Sequence, residues 1–243
     1  MQKIFLSLLF VLLMFTPKIF ADEGSTYSFG WLDKDKEVYV LQNREFRKVQ
    51  TFNFNLAYGL SLSEAFVDET AIQGRIGYYF WEFLGLEILY SKNDGKPNSN
   101  FTGITGGYGT GSGGPGSVPF YQIIDDYTGI IVNWSPFYSK INLFNGIVYL
   151  DWTFGLGLLA VNQRNNAQAM VEGSDAESKS VLASELDSGI IFQTSWIFYL
   201  SRFFSIRADI MGLWYEGNVP SSGEVKKEVS SQWDAVLGVG FRF

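Results

Sequence analysis

The chain has 243 residues, 25 acidic against 18 basic, with no cysteine and no histidine. Without thiol or imidazole there is no disulfide framework, no Ser-His-Asp or Cys-His nucleophile and none of the usual zinc ligand sets, and the negative balance argues against nucleic acid as a partner. Aromatic residues reach 17 % while mean hydropathy is only +0.05, and no stretch after the first 20 residues is apolar enough for a spanning helix, so a membrane protein of this composition must cross with strands.

At the start of the chain Lys3 precedes an apolar run from Ile4 to Phe15, a polar break at Thr16, Pro17 and Lys18, and then Ile-Phe-Ala. This predicts a secretory signal peptide over residues 1–21, cleaved after Ala21, because the run falls short of the roughly 20 apolar residues a transmembrane helix needs. Losing Lys3 and Lys18 leaves 16 basic against 25 acidic residues, a net charge of −9. Residues 22–49 mix charges with Val38-Tyr39-Val40-Leu41 and are compatible with an interfacial helix, a periplasmic strand or an insert in a barrel mouth.

From residue 50 to 243 eight segments alternate with period two, predicting an all-β, eight-stranded antiparallel up-and-down transmembrane barrel. The first, Thr51 to Leu62, sets Phe52, Phe54, Leu56, Tyr58, Leu60 and Leu62 against Asn53, Asn55, Ala57, Gly59 and Ser61. The second, Thr70 to Phe80, sets Ile72, Ile76 and Tyr78 against Gln73, Arg75 and Gly77, and the third sets Leu84, Leu86, Ile88 and Tyr90 against Gly85, Glu87 and Ser91. The fourth opposes Ile130, Val132 and Trp134 to Gly129, Asn133 and Ser135, and the fifth opposes Leu150, Trp152, Phe154, Leu156 and Leu158 to Asp151, Thr153, Gly155 and Gly157. In the sixth Ile190, Phe192, Trp196 and Phe198 face away from Asp187, Gly189, Gln193 and Ser195; in the seventh Phe204, Ile206, Ala208, Ile210 and Trp214 face away from Arg207 and Asp209. The last, Trp233 to Phe243, puts Trp233, Ala235, Leu237, Val239, Phe241 and Phe243 opposite Asp234, Gly238, Gly240 and Arg242. Each is near the 9 to 11 residues of a tilted spanning strand.

Connections support the same topology. Those after strands two and six are a few residues long, and that after strand four, Pro136 to Gly146, is of medium length. Those after strands three, five and seven (Lys92 to Tyr121, Gln163 to Ser184, Gly217 to Ser231) read as long, polar and external; the link Ser63 to Glu69 is moderate. Aromatics then gather in two belts, Phe80, Trp81, Phe83, Trp134, Phe137, Phe203, Phe204, Phe241 and Phe243 among the inner one, Tyr90, Trp214 and Trp233 among the outer.

A slip of one residue would turn Arg75, Glu87, Asp151, Arg207, Asp209 and Asp234 toward lipid, at roughly 2 to 4 kcal/mol for each basic side chain near the midplane. Facing inward, Arg75, Arg207 and Arg242 stand among Glu87, Asp151, Asp187, Asp209 and Asp234 as a lumen charge network. Such a network fills a bore that is wide enough only for side chains; a proton or ion path is the other reading. The glycine-rich run Gly103 to Gly116 lacks a following Lys-Ser/Thr and reads as a flexible external loop, not a phosphate cradle, and Gly155 with Gly157 as small lumen-facing positions.

The run Val40-Leu41-Gln42-Asn43-Arg44, Gly77-Tyr78-Tyr79-Phe80 with Gly85 and Glu87, and Ser135-Pro136-Phe137-Tyr138-Ser139-Lys140 leading to Asp151, Gly155 and Gly157 resemble the outer-membrane β-barrel domain of myxobacterial-type proteins, over about Asp33 to Phe243, with Ser139 where that pattern favours Gly. The resemblance implies a small barrel of the OmpA and OmpX kind in the outer membrane and no catalytic residue or cofactor. The terminal strand likewise resembles the signal read by the outer-membrane insertion machinery, carried by Gly238, Phe241 and Phe243, with Val236 where a polar residue is usual. The functional expectation is a non-enzymatic barrel, structural or acting through its external loops, in contact with outer-membrane lipids and able to self-associate. A narrow porin is the alternative; a membrane enzyme and a soluble ligand-binding barrel fit the pattern less well.

Overall fold

A computed structural model of the chain describes residues 26–27, 38–39, 44–105, 118–143, 146–172, 179–221 and 223–243. The signal peptide read over residues 1–21 and most of the glycine-rich run lie outside them. The chain divides into two units, Met1–Glu45 and Phe46–Phe243. In the first, Thr26–Tyr27 pairs antiparallel with Val38–Tyr39.

The second unit is a closed barrel of eight antiparallel strands, each paired with its sequence neighbours. They are β1 (Thr51–Ser61), β2 (Val67–Tyr79), β3 (Leu84–Pro97), β4 (Gln122–Leu143), β5 (Gly146–Asn165), β6 (Ala183–Tyr199), β7 (Phe204–Ser221) and β8 (Glu224–Arg242). Closure is made by β8 on β1, from Asp234 opposite Ser61 to Arg242 opposite Asn53, and Phe243 extends it by exchanging backbone hydrogen bonds with Phe52. Every predicted strand exists in the predicted register. Along β1 the outward Phe52, Phe54, Leu56, Tyr58 and Leu60 are exposed while Ala57 and Gly59 are buried, and the same alternation runs round the wall.

The strand ends differ from the sequence reading. From β4 onward strands run 17 to 22 residues, longer than a bilayer requires. The link read as Gly217 to Ser231 is ladder: Glu224 pairs with Ser221 and Ser231 with Trp214, so β7 and β8 form a hairpin turned at Gly223, whose φ of 88° suits glycine. The link read as Pro136 to Gly146 is also ladder, Leu143 pairing with Gly146, and a register shift between Trp134 and Phe137 accommodates Pro136. A hairpin standing in water needs no apolar face, so its sequence loses the period-two signal and reads as loop. The link after β4 is thus shorter than read, like those after β2 and β6, while the link after β7, read as long and external, is a tight turn.

Two longer links carry short helices, α1 (Ser99–Ile104) after β3 and α2 (Ala167–Glu172) after β5. Asn98 caps α1 by accepting from the backbone N–H groups of Asn100 and Phe101, and its amide reaches Ala65 O at 3.0 Å in the link between β1 and β2. Asn166 ties Tyr121, Pro119 and Lys179 together, and Tyr121 packs edge-on against Phe101 in a buried cluster with Val67 and Ile123. The described parts of these links pack on one another at one end of the barrel, here the loop end, and are called the lid below. The opposite end, with the links 80–83 and 200–203, is the turn end. No helix among the described residues is long and apolar enough to cross a membrane.

Candidate functional site

The barrel interior gathers the chemistry. All eight residues of the predicted charge network, Arg75, Glu87, Asp151, Asp187, Arg207, Asp209, Asp234 and Arg242, point inward and are buried. They do not form one network. They fall into three groups spaced along the barrel axis, and the wall between them is partly apolar, with Leu89, Ile131, Leu159, Val161, Ile191, Met211, Leu213 and Val236 inside as well.

The middle group is a four-membered ion cluster on β2, β3 and β7. Arg207 donates to Glu87 Oε2 at 2.6 Å and to Asp209 Oδ1 at 2.7 Å, while Arg75 Nη1 lies 3.1 Å from Asp209 Oδ2 and 3.5 Å from Glu87 Oε1. Amides complete it: Arg75 donates to Gln193 at 3.2 Å and to Gln73 at 2.6 Å, and Gln193 donates to Glu87 and Asn133. Two guanidinium groups balance two carboxylates, and the remaining polar atoms are largely spent on neighbours, as burial of charge requires. Gly155 opposes this cluster because a Cβ there would stand 2.6 Å from both Asn133 Oδ1 and Gln193 Cγ.

At the turn end Asp151 pairs not with an arginine but with Lys48, at 2.6 Å, and accepts a second hydrogen bond from Tyr199 at 2.6 Å. Lys48 belongs to the segment 22–49 that the sequence left open. Its ammonium enters the barrel mouth over the Tyr79 ring, and Phe46 stacks on Tyr199 at 5.2 Å and meets Tyr149 edge-on. Arg242 turns from the carboxylates: its guanidinium covers the Tyr199 ring at 4.9 Å and donates to Arg202 O at 3.1 Å. The reading of Arg242 within a carboxylate network is thus corrected, since the last inward position of β8 lies level with the mouth and not with Glu87.

The loop end has the opposite character. Asp234 accepts from Tyr127 at 3.2 Å and from Gln232 at 2.9 Å; Glu69 accepts from Asn93 and, at 3.4 Å, from Gln232. Asp187 accepts from Gln163 at 2.8 Å and has Lys227, largely solvent-exposed, at 3.3 Å. Neither Glu69 nor Asp234 has a cation within ion-pair distance among the described residues. Glu64, in the link after β1, accepts from Gln122, and burial holds its carboxyl above the ordinary range despite that bond. Among the described residues no cluster of three or more acidic side chains is arranged to hold a metal ion.

Sequence reasoning did not assign Lys48, Glu69, Tyr127, Tyr199 or Gln232 to the interior. Glu69 lay in a segment read as a link, Gln232 fell between the last link and the last strand, and Tyr127 precedes the predicted fourth strand. For the four on strands the signal was inward parity: Glu69, Tyr127, Tyr199 and Gln232 each lie an even number of residues from an assigned inward neighbour on the same strand, as Gln232 does from Asp234, whereas Lys48 precedes β1 and carried no such signal. Of the predicted assembly residues, Gly238 faces inward against Ala57 at the closing seam, whereas Phe241 and Phe243 lie outside, 4.4 Å apart.

No family model and no curated protein matches the chain. Solved structures of similar chain path are small outer-membrane barrels. The N-terminal β-barrel domain of Pseudomonas aeruginosa OprF is 13 % identical at a TM-score of 0.46, over 80 % of this chain and 98 % of that one. Ail, the attachment invasion locus protein of Yersinia pestis, is 14 % identical at 0.37, over 80 % and 99 %. OprG of Pseudomonas aeruginosa is 13 % identical at 0.39, over 83 % and 99 %. The fold class rests on the closed ladder of this chain, an eight-stranded antiparallel barrel.

Proposed function

We propose that this chain is an integral outer-membrane β-barrel with a shut lumen, whose role is structural or one of surface contact through the loop end. The observation that carries the proposal is the distribution of side chains across one wall. The outward Ile76, Ile88, Ile206 and Ile210 are exposed, whereas Arg75, Glu87, Arg207 and Asp209 on the same three strands are buried within the barrel. An apolar exterior round a polar interior suits a barrel in lipid and is the inverse of a soluble one. Aromatics cluster at the turn end, with Trp152 6.2 Å from Trp196 and Phe204 5.2 Å from Phe241, where an inner interface needs them.

In this reading the turn end faces the periplasm and the lid faces outward. Residues 1–21 direct export, outer-membrane lipids and the insertion machinery are the partners, and the lipid-facing walls offer a route to self-association. Membership of the myxobacterial-type barrel family belongs to the same proposal, as does the lack of a catalytic role. Cell fractionation tests it: the protein is expected in the outer membrane, resistant to salt, released by detergent, and lacking residues 1–21 by mass spectrometry. Release by salt alone, or retention of Met1, contradicts it.

A further inference from the structure

Two buried oxygens at the loop end have no hydrogen-bond partner, Glu69 Oε2 and Gln232 Oε1. They belong to the same two side chains whose other ends already touch, Gln232 Nε2 donating to Glu69 Oε1 at 3.4 Å. Both are acceptors while Glu69 is ionised, and neither side chain is more than 4 % exposed. One proton on Glu69 Oε2 turns it into a donor whose complement is the amide oxygen of Gln232. A carboxylic acid and a primary amide can form a cyclic pair with two hydrogen bonds, an arrangement that would satisfy both orphaned oxygens at once.

The charges round the site favour that proton. Asp234 on β8 has a donor for each oxygen, from Tyr127 on β4 and Gln232, and is the better place for the negative charge. Tyr215 on β7 and, beyond it, Glu64 and Asp187 on β6 add a phenol and two more acids. Arg75 on β2 reaches this group only through Gln73 and Tyr127 and is spent on Asp209 and Glu87, and the exposed Lys227 on β8 stands at Asp187, 3.3 Å away, and not at Glu69. Two carboxylates bridged by one amide in a dry place do not both ionise readily. Glu69 lies beyond Ile72, the last exposed apolar residue of β2 at this end. Glu69 is one residue past the last pair of β1 with β2, Leu60 with Thr70, while β1 still pairs with β8 at Ser61 and Asp234, so this contact ties β2 to β8 where the ladder to β2 stops.

We propose that Glu69 is a proton-binding site, holding a proton at neutral pH as the acid half of an acid–amide pair with Gln232 that latches β2 to β8. Glu69→Gln reproduces the protonated shape with a second amide, and so it is expected to fold with a thermal midpoint no lower than the parent's at about pH 7. A proton bound more tightly in the folded than in the unfolded chain stabilises at low pH and is lost as pH rises through the folded pKa. The parent is therefore expected to lose stability as pH rises from about 4 to about 8, and Glu69→Gln to lose less, the remaining slope including that of Glu64.

Infrared spectroscopy of the full-length barrel in detergent gives the direct test. The parent at about pH 7 is expected to show the carbonyl band of a protonated carboxylic acid that moves on 13C-glutamate labelling, vanishes in Glu69→Gln and persists in Glu64→Gln. Absence of a labelled-glutamate band in the parent, its persistence in Glu69→Gln, or its loss in Glu64→Gln with retention in Glu69→Gln overturns the proposal. Should Glu69→Gln not fold, the labelled band of the parent and of Glu64→Gln decides alone.

Discussion

In the middle of the lumen two guanidinium groups face two carboxylates at 2.6 to 3.5 Å, whereas at the loop end Glu69 and Asp234 meet amides and a phenol and, among the described residues, no cation within ion-pair distance. Both regions are buried, and both come from inward positions of the same wall. The difference teaches how a narrow barrel fills its bore: where carboxylates can be matched by arginine the charges stay and interlock, and where no cation reaches, neutral donors carry the contact. The first arrangement is unforgiving, since losing one partner strands a charge, while the second loses one hydrogen bond at a time.

The largest expected effect lies upstream of both regions, in closing the wall that contains them. Phe241 and Phe243 pack outside the seam with Phe203 and Phe204, and changing both to Asp is expected to abolish most folded barrel in the membrane, read by the heat-modifiable shift on gels. Next comes Arg207→Met, which leaves Glu87 and Asp209 short of a partner, at about 3 to 5 kcal/mol. A lowered thermal midpoint in detergent checks it, with Ile206→Leu, next door but facing lipid, expected to match the parent.

Lys48→Met is expected to fall somewhat below Arg207→Met, because Tyr199 still donates to Asp151 after the ammonium is gone. Equal losses would place the turn-end pair on a par with the middle cluster. Tyr127→Phe removes the bond from Gln73 and the bond to Asp234 while keeping the ring, and about 1 to 3 kcal/mol is expected. If that loss exceeded the loss in Arg207→Met, the contrast between the two regions would be reversed. Least of all, Arg164→Gln breaks a partly exposed pair with Asp125 on the lid side and is expected to cost about 0 to 1 kcal/mol.

What could be read from the sequence follows the solvent. Within the exposed apolar band each strand shows one apolar face, so Phe52 to Leu60 and Trp233 to Phe243 made register and inward residues legible. Beyond the band both faces meet water or the loop-end links, and Gly217 to Ser231 became indistinguishable from a loop although it pairs as a hairpin. Inside the barrel, parity told which charges point inward but not their height along the axis. Height comes from strand stagger, and it separates Arg242 from Glu87 and brings Lys48, from outside the predicted strands, to Asp151. Gln73 and Gln193 were legible as inward polar residues; that they complete the arginine cluster required the register of four strands at once.

The central claim is that these groups fill the bore. Single-channel recording of the refolded, full-length protein in a planar bilayer tests it most directly, because a wall of eight strands leaves no aqueous path once Arg75, Glu87, Arg207 and Asp209 interlock across it. The expected record is a quiet baseline for the parent, with conductance appearing only in variants that empty the middle layer, such as Arg75→Ala combined with Arg207→Ala. Steady open-channel steps in the parent would contradict the account and identify the barrel as a narrow porin.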